Sequence, residues 1–418
     1  MSKRVLLLTC ALALMIGTGM VTVARAYEGV YGEMAYRWNG VKNADQNSDV
    51  DDALGYSELL AALDFNGTTH GDASYRIILE NYRVLGDPAS DTKEIYQATF
   101  TLHDFLFQDF DVTFGRLPVA YGRERMVGKN SWALNPEERA VFEGYHARYG
   151  FDGGWLDFFN FKMAETYGAK YATMTGDTDL GGLYLHYDAG DDFWFEPYAL
   201  LLTTENFAAP EDISNDKLFT FGALVDYMAE GIHFYAEAAV QSGTSYGLGT
   251  ETDTSALGWY AGLFYDFDHP TAPYLGVEYD FASGEDAGTA ELDAFGSLAG
   301  SSRDYLGIMN LVPWSDVKAL RFAGGFSPVA SLDVSADFFT FAKEQVADGA
   351  DDGIGKELDI TMDYALEEDV ALHWGLGAFF FDEPTGGSEK SEAVEFPHAY
   401  EAPGDAIFFT WLGASLEF

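Results

Sequence analysis

The residues best equipped for chemistry crowd one short stretch: Arg116, Arg123, Arg125 and Lys129, with Gly122 and Gly128 among them. Cations at that density bind anions, through charge-assisted hydrogen bonds to carboxylate or phosphate oxygens. The glycines allow backbone angles closed to other residues, so the segment can bend to present its charges together. Catalysis has less to build on. A nucleophile needs a base and an orienting group within hydrogen-bond reach, and no Ser/His pairing stands out among eight scattered histidines. The acidic run Asp45–Asp52 lacks the glycine and the terminal glutamate of a calcium-binding hand, and it reads as a solvated loop, as does Asp348–Asp352. The chain is expected to carry no metal, to need no cofactor and not to be an enzyme.

The elements that must position these residues follow from the rest of the chain. Lys3 and Arg4, an apolar run from Val5 to Met20 and the small-residue site Ala24-Arg25-Ala26 read as a cleaved signal peptide over residues 1–26. Cys10, the only cysteine, would leave with it. A mature chain without cysteine has no disulfide, thiol catalysis or cysteine–metal site. Residues 27–418 form the expected single domain. The whole chain carries 68 acidic against 23 basic residues, which opposes binding to nucleic acid. Yet 16% of its residues are aromatic and 48% hydrophobic, so an acidic disordered polymer is excluded. No mature stretch approaches the ~18 apolar residues of a helical span.

The apolar residues alternate instead. Tyr96, Ala98, Phe100 and Leu102 share one face of a stretch whose other face is Gln97, Thr99, Thr101 and His103. Leu358, Ile360, Met362 and Tyr364 oppose Glu357, Asp359, Thr361 and Asp363 in the same way. A period of two is the mark of a strand. Eighteen such stretches occur between residue 28 and residue 418, and the gaps between them alternate long and short. Asn39–Tyr56, Pro118–Glu138, Ser283–Ser315 and Glu383–Gly404 are long; Gly150–Asp152, Ala229–Glu230 and Asp268–Pro270 are short. This is the loop pattern of an all-β, 18-stranded antiparallel transmembrane β-barrel with short periplasmic turns and long external loops. Counting Tyr305–Val312 as a nineteenth strand would break the parity, so it is left in a loop. Phe408, Thr410, Leu412, Ala414, Leu416 and Phe418 share one face and end on a terminal aromatic, which resembles the terminal-strand signal read by the outer-membrane insertion machinery. Trp38, Trp194, Trp259 and Trp374 suit aromatic girdles.

Where one parity faces lipid, the other faces the lumen. That assigns Arg37, Arg76, Arg148 and Lys162 to the pore in the first half, with His103, His146 and His186. In the second half it assigns Glu237, Glu278, Asp280, Asp333, Asp337, Asp359 and Asp363, with Arg321 as a basic exception and His233 and His373 also pointing inward. A basic wall is thus expected to face an acidic one. The Pro118–Glu138 loop, folded inward, would set a constriction and present Arg123, Arg125 and Lys129 to the solute. Arg116 shares the parity of Val112 and Phe114, so a bulge near Gly115 is expected to turn it inward.

Several segments together resemble the alginate-export family of outer-membrane barrels. They are Phe114-Gly115-Arg116, Tyr121-Gly122-Arg123-Glu124-Arg125, Val127-Gly128 with Trp132, Phe142-Glu143-Gly144, Ala282-Ser283-Gly284-Glu285, Tyr305-Leu306-Gly307 and Gly355-Lys356-Glu357-Leu358-Asp359. Glu143 departs from the family's aspartate. The resemblance implies a monomeric 18-stranded pore in the outer membrane, with an electropositive lumen suited to anionic uronate polymers or small organic anions. Lipid, lipopolysaccharide and the insertion machinery are the implied partners. The acidic excess leaves a general or cation-preferring porin as the alternative, and a barrel enzyme or adhesin as remote ones.

Overall fold

A computed structural model describes residues 29–44, 53–69, 71–164, 175–209, 212–246, 251–286, 288–300, 305–346, 351–382 and 406–418. The expected signal peptide, the acidic run 45–52 and most of 348–352 lie outside them. The first nine strands are β1 (Gly29–Lys42), β2 (Leu54–Thr68), β3 (Ala73–Val84), β4 (Thr92–Leu102), β5 (Phe110–Leu117), β6 (Phe142–Phe151), β7 (Gly154–Ala164), β8 (Thr175–Gly190) and β9 (Phe193–Ala209). The others are β10 (Asp212–Ala229), β11 (Ile232–Ser245), β12 (Thr252–Asp266), β13 (Tyr274–Ala282), β14 (Val317–Val329), β15 (Leu332–Ala342), β16 (Gly353–Glu367), β17 (Val370–Phe381) and β18 (Ile407–Glu417).

Each strand pairs antiparallel with its chain neighbours, and β1 pairs with both β2 and β18. The sheet therefore closes, leaving no edge whose backbone groups would be stranded in lipid. Tyr305–Val312 lies in a loop, so the count is 18. Short turns fit the chain locally. Glu230 and Gly231 take φ of 52° and 80° between the paired residues Ala229 and Ile232, the positive-φ pair that a tight hairpin of right-handed twist requires. Outward side chains such as Phe100, Phe158, Phe221, Leu263, Leu275 and Leu412 stay exposed around the ring, an apolar band that water would penalise and lipid accepts. Trp38, Trp259 and Trp374 share this outward parity. Trp194 does not: it stands opposite Asp188 and Asp226 on the inward face.

Part of the inner wall is as apolar as the outer one, because the β5–β6 loop (118–141) and the β13–β14 loop (283–316) fold against it. Met126, Val127, Phe295, Leu298, Leu306, Val312 and Trp314 from these loops pack with Phe142, Phe159, Phe161, Leu180 and Tyr260 of the wall in one buried cluster. The loops also join each other: Val127 bridges to Ala299, the Gly128 N–H donates to the Ala299 carbonyl at 3.0 Å, and the Leu298 N–H donates to that of Met126 at 3.0 Å. Buried backbone groups need such partners, so the interior of the barrel is shaped by two loops acting as one body.

Candidate functional site

The β5–β6 loop is anchored to the wall at four places. At its start Tyr121 stacks between Phe159 of β7 (5.3 Å) and Tyr184 of β8 (4.3 Å), and its hydroxyl donates to Asp157 at 3.0 Å. Burial, then the Asp157 charge, push the Tyr121 phenol above its usual range, so it stays a donor. In mid-loop Arg125 reaches β13, where it pairs with Glu278 at 2.7 Å and with Asp280. Its guanidinium also lies over the rings of Tyr260 (3.6 Å) and Tyr305 (4.5 Å). Burial opposes that charge most, but Glu278 together with Tyr260 and Tyr305 outweighs it, and the pKa rises above the ordinary arginine value. Further on, Trp132 lies under the Arg37 guanidinium at 4.1 Å and edge-on to Trp411 of β18. Arg139 then pairs with Glu80 of β3 and covers Tyr96 at 4.3 Å. With 18 strands in order, β5 to β13 is nearly a half-turn of the ring, so the loop crosses the lumen.

Between the first two anchors the chain turns sharply. Gly122 has φ +54° and Glu124 φ +59°, and the Glu124 N–H closes the turn onto the Tyr121 carbonyl at 3.0 Å. A side chain at Gly122 would press on Tyr184 and Leu224. Arg123 at the tip lies over Tyr235 of β11, 3.7 Å from the ring centre. No ion pair reaches Arg123 among the described residues. Lys129 is held through its backbone N–H, which donates to Glu124 at 3.1 Å.

The other expected pore residues fall into three groups. Arg76, Arg148 and Arg321 face the lumen, paired with Asp64, Asp157 and Asp337. Asp333, opposite Asp363 in the β15–β16 register, lies with it at the periplasmic end, where Asp363 pairs with His373 at 2.6 Å. A second group faces inward but is closed off from water. Arg37 bonds Glu58 and the Trp132 carbonyl. Glu237 accepts from Tyr198 and Tyr260. Glu278 and Asp280 hold Arg125, and Asp359 accepts the Ile308 N–H of the second loop at 3.0 Å. Arg125 is likewise 1% exposed, an anchor and not a contact for solute.

Two residues stand outside the pore. Lys162 lies opposite Glu143 and Asp179, on the parity of the exposed Leu156 and Phe158, and pairs with Asp177 and Asp179 at 3.0 Å. The inward parity of β7 is Trp155, Asp157, Phe159 and Phe161; the infolded loop makes that face apolar and so inverts the parity argument. Arg116 is on a strand, not in the constriction. Its register runs unbroken from Thr113 through Leu117, and its guanidinium pairs with the exposed Glu143 at 2.9 Å. The bulge occurs across from it, on β4 between Ile95 and Gln97. It turns Tyr96 inward beneath Arg139 and leaves the Ile95 carbonyl to accept from Arg116 Nε at 2.9 Å.

Nor do the charges segregate into two walls, because Arg37, Arg76 and Arg148 each have a carboxylate beside them. Glu58, Glu80, Asp157, Glu196 and Asp226 are further inward carboxylates, none of them singled out by the sequence pattern. Their signal was register: each sits on the same face as a tyrosine, histidine or arginine across the hairpin.

A closed barrel with an apolar outer band and a loop drawn across its lumen is an outer-membrane porin-like channel. The chain belongs to the alginate export family, whose sequence model matches residues 87–384. No curated protein matches the chain. Among solved structures, Pseudomonas aeruginosa OccK11 (OpdR) superposes with a TM-score of 0.62 at 14% identity, over 93% of this chain and 96% of that one. OpdQ of the same organism gives 0.62 at 13%, over 95% and 99%. OccK2 (OpdF), solved in complex with glucuronate, gives 0.58 at 11%, over 94% and 99%.

Proposed function

We propose that the channel passes small anionic solutes, organic acids and uronate-type sugars among them, by diffusion past a cationic constriction. Arg123 carries this reading. It is the guanidinium at the loop tip, laid on Tyr235, with Asp226 nearby but no carboxylate at ion-pair distance among the described residues, so its donors are available to a passing carboxylate. The lumen cations support it, since they stand in front of their counter-ions. The Arg148 side chain is 45% exposed against 0% for Asp157, and Arg76 52% against 18% for Asp64. A solute therefore meets guanidinium before carboxylate. In OccK2 (OpdF) the bound molecule, glucuronate, is itself a carboxylate. The chain in this reading moves solutes and transforms none. It works as a monomer, its apolar band against lipid and lipopolysaccharide and its terminal strand to Phe418 recognised by the insertion machinery.

A cation-preferring pore is the second reading, favoured by Asp333 and Asp363 facing each other in register at the periplasmic end. Single-channel recording with added glucuronate separates the two. Brief current blocks that glucose does not cause, and that Arg123→Gln abolishes, are expected. Equal blocks by glucose, or blocks indifferent to Arg123, would overturn the anion reading.

A further inference from the structure

Three successive hairpins repeat one arrangement beneath the loop tip. On β6 and β7, His146 Nε2 meets Asp157 at 2.7 Å; on β8 and β9, His186 Nδ1 meets Glu196 at 2.6 Å; on β10 and β11, His233 Nε2 meets Asp226 at 2.9 Å. Each pair sits a few residues above its periplasmic turn, so the three lie at one level. The Tyr121–Arg123 tip rests on them: Tyr121 donates to Asp157, Gly122 lies beside Tyr184 and Glu196, and Arg123 covers Tyr235, which neighbours His233.

We infer that these three histidine–carboxylate pairs form a proton-controlled selectivity tier, which makes the constriction more anion-selective as the pH falls. Imidazole is the side chain whose charge changes between about pH 5 and about pH 8. With neutral rings the tier carries Glu196, Asp188 and Asp226 without a paired arginine, while Asp157 is already paired with Arg148. Each ring that takes up a proton adds one positive charge, leaving the His146–Asp157–Arg148 cluster net positive and the His186 and His233 clusters less negative. Arg123 then acts with less opposition at the loop tip. Charges within a Debye length, ~10 Å at ~0.1 M salt, act together on a passing ion.

The groups facing each ring are compatible with such a change. His146 shares Asp157 with Arg148 and Tyr121, and that carboxylate is fully buried. His186 also approaches Asp188 of its own strand at 3.1 Å and stacks on Trp155 of β7, while Tyr184 donates to the same Glu196. His233 packs on Tyr235, over which Arg123 from the loop lies, and Arg123 and Glu196 both act on its partner Asp226. Protonation therefore adds a charge beside an acceptor already in place, and it requires no rearrangement of the wall. The inference shares the constriction with the proposed function but depends on the histidines, not on which solute Arg123 takes.

The test is the reversal potential across a planar bilayer under a fixed salt gradient, recorded from about pH 8 to about pH 5. The wild-type potential is expected to move toward the anion equilibrium potential as pH falls. The triple variant His146→Gln, His186→Gln, His233→Gln is expected to lose that shift. A His103→Gln, His373→Gln double variant, which alters two lumen pairs away from the loop tip, is expected to keep it. A shift that survives in the triple variant, or that vanishes in the double variant, overturns the inference. Should the triple variant fail to insert, each single variant removes part of the shift and decides the same point. Loss of glucuronate block in Arg123→Gln with the pH shift intact separates this inference from the proposed function.

Discussion

Arg123 and Arg125 stand two places apart on one loop, yet only one of them is available to solute. Arg125 is buried between Glu278 and Asp280 under two rings, where removal of its charge strands two carboxylates. Breaking a buried pair by deleting one partner costs about 3–5 kcal/mol, so Arg125→Met should lower barrel stability by that order in urea titrations of vesicle-inserted protein. Arg123→Met, which loses a half-open stack on Tyr235, should cost less than about 1 kcal/mol. Equal losses would contradict the assignment of anchor and contact. The sequence shows the cations but not this division, because the partners of Arg125 lie more than 150 positions away and no local spacing points to them. Lys162 shows the complementary limit. Its neighbours Phe159 and Phe161 look lipid-facing, and only the infolded loop explains why they point inward.

At the scale of elements, the strands were legible because burial on one side of a sheet imposes a period of two. Loop lengths added which end is outside, and both follow from physics that each hairpin obeys alone. The β4 bulge was not legible. One extra residue flips parity only locally, and Tyr96 fits the outward pattern of Ala98 and Phe100 until its partner Arg139 is seen. The two inner loops are the elements whose joining matters most. If they form one body in the conducting state, Val127→Cys with Ala299→Cys should cross-link on mild oxidation and leave conductance unchanged. Cys10, the only native cysteine, is replaced by serine in this test. A cross-link that closes the channel would show that the loops separate when it conducts.

For the whole molecule, the formal charge of −45 is a poor guide to the pore. Most inward carboxylates are buried against tyrosine, histidine, arginine or backbone N–H donors, and guanidinium groups stand in front of several of them. The charge a solute meets is therefore set by exposure and order along the path, not by the sum. The family and the barrel follow from the chain as a whole, whereas the proposed selectivity rests on a handful of positions that the loop crossing brings together. The central claim is that the loop tip at Arg123 makes the constriction prefer anions. Reversal potential at neutral pH, in wild type and Arg123→Gln under one salt gradient, tests it most directly. An anion preference that falls markedly in the variant is the predicted result; a cation preference that the variant leaves unchanged would contradict it.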